Sequence, residues 1–325
     1  MKSIIKKLLI VSMILASMLI SCNRASNSQN SGNKKVIGVS LPNITNPYYV
    51  TMKRSFEEYG SSNNFEIRVL IADNDDAKQL AHCQSFIEQK VDFVVLNPVS
   101  SGPGVSQVLE LNKADIPVFT INILPDPDGM EQQNAIMVQG IQTDQKMGGF
   151  YIGQQLIEDM GTSANIIVGI VGEPTSVSAN TRDDGFKEAI SVNPNAKVVA
   201  LVNGKVEETT SLKVTTEMLQ GNPNMNVVYA NTEPAILGSA AAISQLGLKD
   251  KVKLYGFVDK AGVQLIQKGD IKAGAIQEPD KLARLSIDTI KKYLSGDTNN
   301  IEYILNSPPL LVNINNAEEV LPLAY

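Results

Sequence analysis

Tryptophan is absent from the 325 residues, histidine occurs once and cysteine twice. With a single imidazole, the nucleophile and base sets of hydrolases and the His/Cys ligand sets of zinc sites have almost nothing to be built from. The lone His82 is followed by Cys83 on a segment of helical pattern, and adjacent helical residues diverge by about 100°, so the pair cannot act on one atom. No apolar run approaches the ~20 residues that a membrane-spanning helix needs. Basic runs are also missing, and the formal net charge is −6, which argues against a nucleic-acid partner.

An uncharged, largely apolar stretch, residues 8–20, follows Lys2, Lys6 and Lys7 and ends at Ser21-Cys22. A basic start, a short apolar run and small residues at its end make a secretory leader over residues 1–21. The tetrapeptide Leu19-Ile20-Ser21-Cys22 resembles a bacterial lipobox, which implies a lipid on the Cys22 thiol and a membrane anchor through it. Residues 22–34 are mostly Ser, Asn, Gly and Lys, a composition suited to a flexible tether rather than a packed element. If Cys22 carries lipid, Cys83 has no disulfide partner and core burial alone must hold the fold.

From Val36 onward, β-branched runs alternate with amphipathic segments of helical length. Strands are expected at 36–41, 67–72, 93–96, 118–121, 166–171, 198–201, 227–230 and 252–257, and helices at 48–59, 77–89, 145–160, 181–190 and 212–219. Strands apolar on successive residues, each followed by a helix, form parallel sheets covered on both faces. Eight such units exceed one sheet of ordinary size, and the break falls near Gly140-Ile141-Gln142-Thr143-Asp144, giving two similar doubly wound α/β domains. In such sheets ligands bind beyond the carboxyl ends of the strands, among strand-to-helix turns and helix N-termini.

The first of these turns, Asn46-Pro47-Tyr48-Tyr49, combines an N-cap with proline at the first helical position. It sends two tyrosines toward the carboxyl edge of the sheet, where an aromatic face can cover the clustered C–H groups of a sugar. The turn Ser101-Gly102-Pro103-Gly104 has neither the dinucleotide nor the P-loop spacing. Asp73, Asp75 and Asp76 lack the EF-hand spacing and its terminal glutamate, so a solvated turn and helix cap is expected there. Neither a metal nor a cofactor is expected.

Ile37-Gly38-Val39-Ser40 and Asn46-Pro47-Tyr48-Tyr49 resemble the opening of ribose-binding and glucose/galactose-binding proteins, the type I periplasmic sugar-binding proteins of ABC importers. The similarity continues through Leu96-Asn97-Pro98, Ile116-Pro117-Val118, Thr143-Asp144 with Gly148-Gly149, Gly185-Phe186, Leu237-Gly238, Gly256-Phe257 and Gln277. Carried over by position, the resemblance implies ligand contacts from Asn46, Tyr48, Tyr49 and Asn122 in the first domain, with Ile123 where ribose binders have an arginine. In the second domain it implies Arg182 or Asn180, according to how the segment after Glu173-Pro174-Thr175-Ser176 is aligned, and Gln277. Three of its positions are altered: Val206 stands where an aromatic is usual, Thr232 where an asparagine precedes an acidic residue, and Val258 where an aspartate follows Gly-Phe, with Asp259 next to it.

The same resemblance implies chain crossings near Thr143, Gln277 and Asn306, and hence domains at 35–142 with 278–306 and at 143–277 with 307–325. It implies a binding protein rather than an enzyme, closing on a small polar ligand such as a monosaccharide, a nucleoside or a signalling furanose. Its expected partners are an ABC permease with its ATPase, or a chemoreceptor. The chain beyond the family's usual end has no role that the sequence reveals.

Overall fold

The computed structural model describes residues 34–325, so the expected leader, Cys22 and most of the tether lie outside the described residues. Among the described residues, twelve strands fall into two sheets of six. The first holds β1 (Lys35–Leu41), β2 (Phe65–Ile71), β3 (Phe93–Leu96), β4 (Val118–Ile121), β5 (Gln139–Thr143) and β11 (Ile304–Ser307), in the order β11-β5-β4-β3-β1-β2. The second holds β6 (Ile166–Gly172), β7 (Ala196–Asn203), β8 (Val227–Ala230), β9 (Lys253–Phe257), β10 (Ala273–Ile276) and β12 (Leu310–Asn313), in the order β12-β10-β9-β8-β6-β7. Pairing is parallel except for β10 with β12. This is the two-sheet parallel α/β architecture that the alternating runs imply.

The stretch expected to be a break, around Gly140–Asp144, is itself β5, the last strand before the chain first leaves its sheet. Its glycine and glutamines disguise it, because a strand with two neighbours is specified by pairing as much as by side chains. The chain changes sheets three times: after β5, after β10, and between β11 and β12. The first and third of these lie side by side, since β5 pairs with β11 from Gly140↔Ile304 to Thr143↔Ser307 and the Asp144 amide donates to the Ser307 carbonyl at 2.8 Å. One edge departs from the expected burial: β7 leaves Val198, Val199 and Leu201 exposed.

Helices connect the strands, and their starts are written locally. Asn46 accepts from the Tyr48 amide at 2.9 Å to open α1 (Pro47–Ser62). Asp75 accepts from the Ala77 and Lys78 amides and opens α2 (Asp76–Glu88), the cap expected of that acidic turn. In chain order α3 (Ser101–Asn112), α4 (Pro127–Gln132), α5 (Gln145–Met160), α6 (Val177–Ile190), α7 (Glu208–Gly221) and α8 (Glu233–Gln245) follow. They are succeeded by α9 (Lys260–Gln267), α10 (Pro279–Leu294) and the short α11 (Ala317–Val320). Asp144, Ser176, Thr232 and Asp259 cap α5, α6, α8 and α9 through side-chain acceptors.

His82 and Cys83 are both buried on α2. His82 Nδ1 lies 3.0 Å from Ser40 Oγ, and burial together with Lys78 pushes its pKa down. Burial pushes the Cys83 thiol up to about 12, so it is an inert packing residue.

The closest helix pair is α5 against α6. A β-carbon on Gly149 would fall 1.8 Å from the Arg182 carbonyl oxygen, and one on Gly185 would fall 1.9 Å from that of Lys146. Backbone meets backbone there, which only glycine permits, and Arg182 is carried on the surface so positioned. Gly149→Ala should therefore cost at least about 2 kcal/mol of stability by overpacking, read as a lowered urea midpoint with an unchanged slope.

Candidate ligand-binding cleft

A cleft of about 540 Å³ opens between the two sheets' carboxyl ends, ample for a small solute. From the first lobe it is lined by Asn46, Tyr48, Tyr49, Asn122 and Ile123. Tyr48 is buried, its hydroxyl donates to Asn122 Oδ1 at 3.1 Å, and burial holds its phenol far above the ordinary range. Asn122 adopts a φ of 64°, a left-handed conformation that asparagine tolerates, and this turns its amide back toward Tyr48. Tyr49 meets the Tyr48 ring edge to face at 5.4 Å.

From the second lobe, Arg182, Val206, Asp259 and Gln277 line the cleft. Three of the residues named from the sequence do not. Asn180 is exposed and its amide donates to the Pro174 carbonyl at 3.0 Å, so it closes its own loop. Thr232 is buried as the cap of α8, its hydroxyl accepting from the Ala235 amide. Val258 is fully buried against the positions of Gly262 and Gly274. Between the alternatives left open by the sequence, the structure brings Arg182 and Asp259 to the cleft and leaves Asn180 and Val258 out of it.

Arg182 organises the floor of this cleft. Its Nε donates to Gln145 Oε1 at 2.7 Å, its Nη1 to the Asn231 carbonyl at 2.8 Å, and its guanidinium carbon lies 3.9 Å from the Phe257 ring centroid. No carboxylate forms a salt bridge with it among the described residues. Because an arginine only donates, Gln145 must present its oxygen to it, which turns the Gln145 amide nitrogen toward Gln277 Oε1 at 3.2 Å. Gln277 Nε2 then donates to Glu233 Oε1 at 3.0 Å. The chain is directional from a donor-only to an acceptor-only group, and it runs through the residues just beyond the first two sheet crossings.

Gln145, Glu233 and Tyr325 are cleft residues that the sequence did not single out. Gln145 directly follows the Asp144 cap, and Glu233 opens a Glu-Pro helix start after a strand, so a search of every strand-to-helix turn finds both. Tyr325 carries no such signal. No group of three or more His, Cys, Asp or Glu side chains able to hold a metal occurs among the described residues, and none of their helices is long and apolar enough to cross a membrane.

Two lobes of one design, joined by three adjacent crossings and sharing one cleft at their strand ends, define a hinged binding protein. The family model for the periplasmic binding protein domain matches residues 37–298, and the chain belongs to that family. Similar proteins include the ribose import binding proteins of Bacillus subtilis, 26% identical over 91% of this chain and 94% of its own length, and of Escherichia coli, 25% identical over 86% and 91%. A solved ABC transporter periplasmic solute binding protein of Actinobacillus succinogenes with bound D-allose superposes with a TM-score of 0.79, at 23% identity, covering 88% of this chain and all of that one. One from Bacillus halodurans with bound myo-inositol gives 0.75, also at 23% identity, over 89% and 98%.

Burial, with Glu233 nearby, raises the pKa of Asp259, whose carboxylate accepts from the Gly262 amide at 2.9 Å. A raised carboxyl pKa favours the protonated native state, so its cost to stability is absent below the unperturbed value of about 3.9 and grows as pH rises through the native value. Asp259→Asn keeps the cap and removes that charge. In paired melts the variant should gain on the native chain between about pH 3 and pH 7; a gap independent of pH would contradict this assignment.

Proposed function

We propose that this chain is the extracytoplasmic solute-binding component of an ABC-type importer and that it takes a monosaccharide between its lobes. The observation that carries this reading is the cleft itself. Tyrosine rings on one lobe face a buried, carboxylate-free guanidinium and amides on the other, a combination suited to a ring with apolar C–H faces and a hydroxyl rim. The relatives named as ribose import binding proteins support the same chemistry.

Binding, not catalysis, is the activity this cleft suits. The single imidazole is buried beside Ser40 and is not among the cleft-lining groups, leaving no histidine base for acid–base work. The ligand reaches both lobes only when they close, so its preference for the closed form drives closure. Moving that equilibrium from 1:99 to 99:1 takes about 5.5 kcal/mol of differential binding. The closed form is then what a permease, or a chemoreceptor, distinguishes. The lobes of this scheme are 35–142 with 278–306 and 143–277 with 307–325, and the ligand contacts are Asn46, Tyr48, Tyr49, Asn122, Arg182, Asp259 and Gln277.

Thermal-shift and calorimetric titration of residues 34–325 against pentoses, hexoses, polyols and nucleosides tests this. A ligand at 100 times its Kd adds about 2.7 kcal/mol of stability. A monosaccharide should give that shift and Arg182→Ala should abolish it, whereas stabilisation only by a nucleoside retires the sugar and keeps the binding protein.

Anchoring at Cys22 belongs to the same proposal. Cys22→Ser should move the mature protein from the membrane to the soluble fraction of cells, and an unchanged distribution would show that the leader is an ordinary one.

A further inference from the structure

Segment 314–325 follows β12 and packs onto the second lobe. Ala317, Val320 and Ala324 are buried in that lobe's core, against α9, and the Lys260 amide donates to the Tyr325 carbonyl at 3.1 Å. The segment is therefore docked, and its last side chain is directed elsewhere. Tyr325 lines the cleft and packs against the apolar clusters of both lobes.

Its ring meets Tyr48 of the first lobe edge to face, with centroids 5.4 Å apart and planes at 84°. Its hydroxyl donates to Glu233 Oε1 of the second lobe at 3.0 Å, the same oxygen that terminates the chain from Arg182 through Gln145 and Gln277. Burial beside that carboxylate holds the phenol well above its ordinary range, which keeps it a donor. Meanwhile Val206, at the position where the resemblance implies an aromatic, is half exposed at 49%. The cleft keeps its volume of about 540 Å³ with Tyr325 in place, so the ring is a wall and not a plug.

We propose that Tyr325 is a specificity-determining residue of the ligand site: its ring adds a third tyrosine to the Tyr49–Tyr48 surface, and its hydroxyl orients Glu233 toward the ligand. This rests on the cleft being the binding site proposed above. A rigid aromatic wall offers apolar area at low entropic cost, and the fixed carboxylate accepts hydroxyl protons from a polar ligand. Since Tyr325 touches both lobes, it also sits where closure must rearrange contacts.

The test uses the full chain with Tyr325→Ala, Tyr325→Phe and, as a remote control, Tyr303→Ala, titrated calorimetrically with whichever member of the pentose, hexose, polyol and nucleoside panel the native protein selects. Tyr325→Ala should weaken binding by at least about tenfold. Tyr325→Phe keeps the ring and should fold normally, losing a smaller factor and shifting the preference among hydroxyl epimers, while Tyr303→Ala binds as the native chain does. Binding by Tyr325→Ala within about twofold of native, or an unchanged epimer ranking in Tyr325→Phe, overturns the proposal. A native protein that selects a nucleoside, with Tyr325→Ala still weakened, retires the sugar reading but keeps the wall. A native protein that binds nothing in the panel removes both.

Discussion

A parallel sheet must bury both faces, because its crossovers lay helices on them, and this leaves function only the strand ends. Everything at the cleft follows from that restriction. With the faces covered, polar groups gather where strands turn into helices, and each turn needs a cap. The caps of α1, α5, α6, α8 and α9 are polar residues at these turns, and the cleft residues Tyr48, Gln145, Arg182, Glu233 and Asp259 are caps or lie within six residues of one.

The hinge and the cleft are not separate features. Gln145 and Gln277 sit just past two of the three crossings, and they connect Arg182 to Glu233 by hydrogen bonds whose direction is set by the end groups. All four residues belong to the second lobe and line the cleft, so a ligand that bonds Arg182 or Glu233 acts on this chain directly. Buried networks of this kind hold a unique geometry only when each member is satisfied, and Arg182, without a paired carboxylate, is where a ligand's oxygen has most to offer.

Much of this was legible in the residues. The β-branched runs marked eight strands, six of them because they are largely buried and the edge strands β2 and β7 through strand propensity without full burial, and Asn46-Pro47 marked α1 because caps and prolines act locally. The strand β5 was hidden, since Gln139, Gly140 and Gln142 gain their extended state from pairing. The choice between Asn180 and Arg182 could not be made from spacing, because both follow a capped turn and what separates them is tertiary: Arg182 is buried with acceptors on Gln145 and Asn231, whereas Asn180 is exposed and bonds back to Pro174. Tyr325 was invisible for the opposite reason: its position depends on a docked segment far in sequence from Tyr48, with no motif linking them.

The central claim is that the lobes close on a solute held between them. Small-angle X-ray scattering of residues 34–325, with and without the solute chosen by titration, tests it most directly. The account predicts a smaller radius of gyration in the bound state, lost when Arg182 is replaced by alanine. Saturable binding with superimposable scattering curves would contradict it.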